Sequence, residues 1–371
     1  MVVKHLFGII LILNLSIISA QDIDSLSLVS FKLSSDTERV NLFYKEGFAN
    51  RAIDPQYSYA CAKLAEKFAQ QSSSPYFIAK SSNLLGILYY RKQDLIKALS
   101  YHKKALNLRT IINDKKGIAM SETNLGNIYT DLKKYALAEK AYLKALNTNN
   151  ELNQSKQIGN CLLNLGVLKA NEGSPSKDTI ILFQAKNYFE LALQNAKQRI
   201  DYELEAQCYN NLAVINMDYQ KYDDAIANCW NSIKIKNLMD NEIEMADSYL
   251  NIALCWLKKH ELKTTDEFLL KADSIINKYD YTEARVQALK IRSDYFMTQK
   301  NYESAYQFLG RHHFIRDSIN QLVKERNLQN NFVEEFLFEK EKSKHAFPYI
   351  YLNILILVSI LCIGFVLKFK K

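Results

Sequence analysis

The sequence predicts an all-α chain: a solenoid of about seven helix-turn-helix repeats with a 40-residue period, then a C-terminal helix and a single transmembrane helix. Three observations carry this. Small residues recur at Gly86, Gly126, Gly166, Ala213, Ala253 and Ser293, with a weaker match at Glu46, at intervals of 40, 40, 40, 47, 40 and 40. The 371 residues include only 10 Gly and 4 Pro, are 48% hydrophobic, and lack long alternating β-branched runs, so helix is the expected element throughout. Finally, the last stretch before the terminal lysines is apolar enough for a membrane span. A chain of this length would ordinarily divide into several compact domains, but in a solenoid each repeat buries its face on its neighbours and one array suffices.

The first element is MVVKHLFGIILILNLSIISA, with Lys4 ahead of an apolar run and Ala20 before polar Gln21. It has the pattern of a secretory signal peptide, residues 1–20; an uncleaved anchor is the alternative, because Ile18 stands where a small residue is preferred. Residues 22–39 fit either a short capping helix or a lead-in. The repeat array is expected over 38–313. Its first, degenerate member has Asp54 and Pro55 as N-cap and first helical residue, and the clean members contain LLGILYYRKQDLIKALSYHKKAL and NLGNIYTDLKKYALAEKAYLKAL.

A second small residue follows the first by twelve positions at Ser58, Ala98, Ala138, Ala225 and Ala305. In the remaining full repeats it is Ala185, delayed seven residues by the insertion NEGSPSKDT, and the poor match Thr265. Helices approach to about 8–10 Å where facing side chains are small, so Gly86, Gly126 and Gly166 against Ala98, Ala138 and Ala185 are the expected crossing points. Gly173, within the insertion, is expected in a loop.

Beyond the array, Ile315, Ile319, Leu322, Val333 and Leu337 form one helical stripe. Residues 314–347 are read as a juxtamembrane capping helix, or as a stalk that would make a homodimer. Residues 349–367 carry no charge and have the length of a transmembrane helix. Lys368, Lys370 and Lys371 then form a short tail, 368–371, which the lysine bias places in the cytoplasm. Together the two apolar ends imply a single-pass type I protein, its repeats periplasmic or otherwise extracytoplasmic, in what would be a bacterial inner membrane.

The net charge of +8 dissolves on partition: setting aside Lys4 and the terminal lysines leaves 44 basic against 40 acidic residues. No nucleic-acid partner is expected from so even a balance. The cysteines Cys61, Cys161, Cys208, Cys229 and Cys255 show no paired spacing and read as small buried hydrophobes. No metal spacing, phosphate loop or nucleophile motif occurs, so the expectation is a non-enzyme without cofactors.

The repeat pattern, small residues twelve apart with Leu125 and Tyr129 before and Tyr142 and Ala145 after, resembles the tetratricopeptide repeat. The resemblance implies a right-handed α-solenoid whose first helices line a concave groove. It also implies that the recurring Asn124, Asn164, Asn211 and Asn251 form a ladder of amides there, able to donate to and accept from the main chain of an extended peptide. The alternative is that these amides bond within the array. By the same phase Asn83, Tyr90, Arg91, Thr123, Asn127, Asn171, Asn210 and Asp218 are further peptide-binding candidates. The variety of the family that clamps a C-terminal carboxylate uses basic residues where this chain has Thr123, Asn160 and Leu163. The layout resembles bacterial membrane-anchored repeat proteins of the sensor and scaffold type, without a cytoplasmic output domain. Two functions follow from that resemblance: an extracytoplasmic protein or peptide interaction scaffold, or a ligand-sensing subunit acting through a separate kinase or transcription regulator.

Overall fold

The structure, a computed structural model, describes residues 26, 28–30 and 32–321. The chain divides into two compact units, Met1–Asp317 and Ser318–Lys371, and the helical pairs belong to the first. In order the helices are α1 (Asp36–Asn50), α2 (Pro55–Ser72), α3 (Pro75–Arg91), α4 (Leu95–Ile111), α5 (Lys115–Asp131), α6 (Tyr135–Glu151) and α7 (Ser155–Gly173). There follow α8 (Thr179–Arg199), α9 (Tyr202–Asp218), α10 (Tyr222–Leu238), α11 (Met245–Lys258), α12 (Leu262–Tyr279) and α13 (Thr282–Thr298). The last, α14, runs from 302 to the end of the described residues at 321.

Starts and stops are written locally. Ser35 and Glu38 exchange a capping box at α1, and Asp54 caps α2 with Pro55 as its first residue. Asp94, Asp114, Asp178 and Asp201 accept the free N–H groups that open α4, α5, α8 and α9. From α2 onward the stops share one device. Ser73, Gln93, Asn113, Lys133 and Asn153, then Lys177, Ile200, Gln220, Asp240, His260, Asp280 and Lys300, take φ between 50° and 62°, while no described glycine has positive φ. A single left-handed residue thus turns the chain about every 20 positions.

Consecutive helices pack as antiparallel pairs, and each pair packs on the next. Successive first helices (α1, α3, α5, α7, α9, α11, α13) also touch one another, whereas no comparable contact joins the second helices α2 to α12. The first helices therefore form one continuous layer. Between the layers lie the small residues: Ala98, Ala138, Ala185 and Ala225 are fully buried, and Ala305 nearly so.

The crossing partner differs from the sequence expectation. A Cβ on Gly86 would fall 2.6 Å from the His102 ring, one on Gly126 2.5 Å from the Tyr142 ring, and one on Gly166 2.5 Å from the Phe189 ring. The glycine accommodates the ring one turn beyond the second small residue, because helical side chains lean toward the N-terminus. In the first pair the close-packed residue is Gly47, not Glu46: a Cβ there would meet Cys61 at 3.2 Å and the Ser58 carbonyl oxygen at 3.1 Å. Gly173 ends α7 and is buried, rather than lying in a loop. The insertion lengthens α7 to 19 residues and α8 to 21, against 17 in each of α5 and α6.

Among the described residues no helix is long and apolar enough to cross a membrane. Even α8, the longest, carries Lys186, Glu190, Lys197 and Arg199. The expected fold class is corrected to a helical-repeat array without the membrane helix, and the single-pass type I, extracytoplasmic placement that depended on that helix is withdrawn. The segments that suggested them, 1–20 and 349–367, lie outside the described residues, as do the tail and most of 314–347.

Candidate functional site

All twelve expected peptide-binding residues lie on first helices. Asn83, Tyr90 and Arg91 are on α3, Thr123, Asn124 and Asn127 on α5, Asn164 and Asn171 on α7, Asn210, Asn211 and Asp218 on α9, and Asn251 on α11. They share a layer but differ in how far their polar groups are already used.

Toward the N-terminal end most are committed. Asn124 donates to the Asn83 Oδ1 at 3.1 Å and lies 3.5 Å from His102 Nδ1. Asn83 is buried and its amide points at the Met120 sulfur, 3.8 Å away. Asn127 accepts from the Tyr142 hydroxyl at 2.7 Å, and Thr123 donates to the Ala119 carbonyl at 2.9 Å. Burial, then its hydrogen bond with Asp131, pushes the Tyr90 phenol above its usual range. Arg91 is exposed.

The middle of the layer is freer. Asn164 is half-buried and makes no hydrogen bond among the described residues, and Asn171 is exposed, using only its carbonyl, which accepts from Tyr135. Asn211 donates to the Gln207 carbonyl of its own helix at 2.9 Å, leaving its Oδ1 unengaged. Asn210 accepts from Ser248 at 2.8 Å, Asp218 from Ser174 at 2.5 Å, and Asn251 from Gln287 at 3.4 Å. One turn before the ladder the same layer presents Met120, Asn160, Gln207 and Gln287, and one turn after it Val214, 39% exposed. Met120, Asn160 and Gln207 stand four before a ladder asparagine and Val214 three after one, so these were legible in the period, yet only Asn160 entered the sequence reading; Gln287, four before Ile291, lies beyond the ladder.

Behind this surface sit titratable groups that burial keeps uncharged. Burial, with Arg109 nearby, pulls the His102 imidazole down to about 4, and burial pushes Tyr142 up to about 12. Burial likewise raises the thiols of Cys61, Cys208, Cys229 and Cys255 to about 12. All five described cysteines are free and buried. No group of His, Cys, Asp and Glu able to hold a metal ion occurs among the described residues. What the layer offers is hydrogen bonding from neutral amides beside aliphatic patches.

Residues 77–151 match the family model described as Tetratricopeptide repeat. They are α3 to α6. This stretch is tetratricopeptide repeat. The pairs on either side repeat its turn spacing and its small-residue contacts. No curated protein matches the chain. Among solved structures it resembles the apo form of RapI, with 15% identity and a TM-score of 0.61, over 76% of this chain and 99% of that one. It also resembles a Rap protein complexed with competence and sporulation factor, with 19% identity and a TM-score of 0.60, over 80% of each chain. NprR in complex with its cognate peptide NprX matches with 18% identity and a TM-score of 0.53, over 88% of this chain and 87% of that one. At such identities the likeness establishes the fold.

Proposed function

We propose that this chain is a protein-interaction scaffold whose first-helix layer binds an extended peptide segment. The carrying observation is the run of neutral amides at one repeat position, of which Asn164 and the Asn211 Oδ1 are unspent in the middle of the layer. An extended main chain presents alternating donors and acceptors, and a carboxamide answers both. Val214 and the neighbouring aliphatic side chains supply apolar contact for alternate side chains of such a peptide. Structures with this fold have been solved with a factor or a cognate peptide bound, which supports the reading. Uncharged Thr123, Asn160 and Leu163 favour recognition of the main chain over a terminal carboxylate.

The test is selection of binders from a random peptide library on the full chain, followed by anisotropy titration. Replacing Asn164 and Asn211 together by Ala removes hydrogen bonds worth about 0.5–1.5 kcal/mol each, so affinity should fall about tenfold to a hundredfold with an unchanged melting curve. Equal affinity in the double variant, or a loss that tracks earlier melting, would refute the site.

A further inference from the structure

We infer that a second surface, the groove between α2 and α4 on the outer side of the array, docks an acidic segment of a partner protein. It is separate from the first-helix layer. The groove is shallow and open to solvent, with a volume of about 630 Å³, and is lined by Gln70 of α2, Ile78 of α3, and Ser100, Lys103, Lys104, Asn107 and Leu108 of α4. Its floor, Ile78 and Leu108, is apolar and half-buried, and its rim is cationic.

The charge around it is local and one-sided. Residues 80–116 contain nine basic and two acidic side chains; Lys92 and Arg109 are buried in the array and Lys115 pairs with Glu151 at 3.1 Å, so the cations at the groove itself are Lys103 and Lys104. Both acids are occupied: Asp94 caps the Lys97 amide and Asp114 the Gly117 amide. Helices α3 and α4 contain no acidic residue at all. Within the groove, Lys104 has only Glu66 at 3.9 Å, and Glu66 is already held by Lys63 at 2.7 Å. Lys103 has no acidic partner among the described residues. At the position of Lys103 the preceding pair carries Lys63, which is held by Glu66 at 2.7 Å, and later pairs carry Leu143, Glu190, Trp230 and Leu270, so the cation without an acidic partner at this position belongs to this pair. The array's acids concentrate elsewhere, with ten acidic against three basic residues over 201–247. An occupant with carboxylates for Lys103 and Lys104 and an apolar side chain for the floor would complement both charge and surface. Charge matching of this kind sets specificity and encounter rate.

The experiment titrates the full chain into a fluorescein-labelled peptide of about 16 residues, alternating glutamate and leucine at helical spacing. Binding is expected at low salt, weakened about tenfold or more by Lys103→Glu with Lys104→Glu, and unaffected by Asn164→Ala with Asn211→Ala. Should the double charge reversal melt early, Lys103→Glu alone repeats the test without disturbing Glu66. The proposal fails if no binding is seen, if charge reversal leaves affinity unchanged, or if the asparagine variant is the one that loses it. It fails equally if an oligonucleotide of equal charge displaces the peptide at lower concentration. The remaining overturning result is a chain dimer that the same charge reversal dissolves, since the acidic 201–247 region of a second copy would then be the occupant.

Discussion

At the residue scale, each pair is fitted by a trade in volume between its two helices. Gly86, Gly126 and Gly166 face His102, Tyr142 and Phe189, whereas Ala213 and Ala253 stand in the register of Cys229 and Leu269. Where the second helix brings a ring to this position the first helix carries glycine, and where it brings Cys229 or Leu269 the first carries alanine. Adding a methyl to Gly126 forces it against a buried ring, and overpacking of this kind costs about 1–3 kcal/mol. Gly126→Ala should therefore lower the melting temperature, and Tyr142→Leu alone should also lower it by leaving a void and releasing Asn127. The double variant should be more stable than the sum of the single losses implies, a coupling that a double-mutant thermal cycle reads directly. Strict additivity would mean that the two side chains do not meet. Sequence alone showed the small position through its 40-residue recurrence, but not its partner. Ala138 matched the spacing, while the contact belongs to Tyr142, whose side chain leans back one turn.

At the element scale, turn geometry sets the 20-residue beat, and it does so without glycine. A non-glycine residue in the left-handed region is held there against a local preference of roughly 1–2 kcal/mol, which asparagine bears most easily and β-branched residues least. Ile200, 69% exposed and at φ 56°, is the costliest of the twelve. Ile200→Gly should raise the melting temperature, and Asn153→Gly should leave it nearly unchanged, since the entropy glycine adds to the unfolded chain offsets its smaller gain. Equal shifts in the two, followed by circular dichroism, would show that side-chain contacts and not backbone strain govern these turns. These stops left little mark in the sequence because residues as unlike as Ser73, Lys133 and Ile200 perform one task. The N-caps were plainer, as Asp54 followed by Pro55 shows. The site was half legible: the ladder positions were visible in the period, but hydrogen bonds such as Asn124 to Asn83 depend on rotamers and neighbours 41 residues away.

At the scale of the whole molecule, stability is a sum over pairs and the junctions between them, so the composition of each junction decides where the array opens first. Most junctions are apolar, but two are bridged by a buried cation on the second helix. Arg109 donates to the Gly117 carbonyl at 2.9 Å and to Ser121 at 2.8 Å, and Lys236 to the Glu244 carbonyl at 2.7 Å. In both cases the acceptor lies eight residues on, in the opening turn of the next pair or just ahead of it. Burial lowers the pKa of Lys236, which marks the solvation it gives up there. Arg109→Ala would remove the cation's hydrogen bonds to Gly117 and Ser121 from a dry junction and leave a void where the side chain packed, costing about 1.5–3 kcal/mol. The coupling between α4 and α5 should fall more than the stability within either pair. Native-state hydrogen exchange should then show residues 36–111 and 115–298 losing protection at separate denaturant concentrations, where the unaltered chain loses them together. A uniform loss across both blocks would mean that Arg109 stabilises the array as a whole and that the junction is not a preferred point of opening.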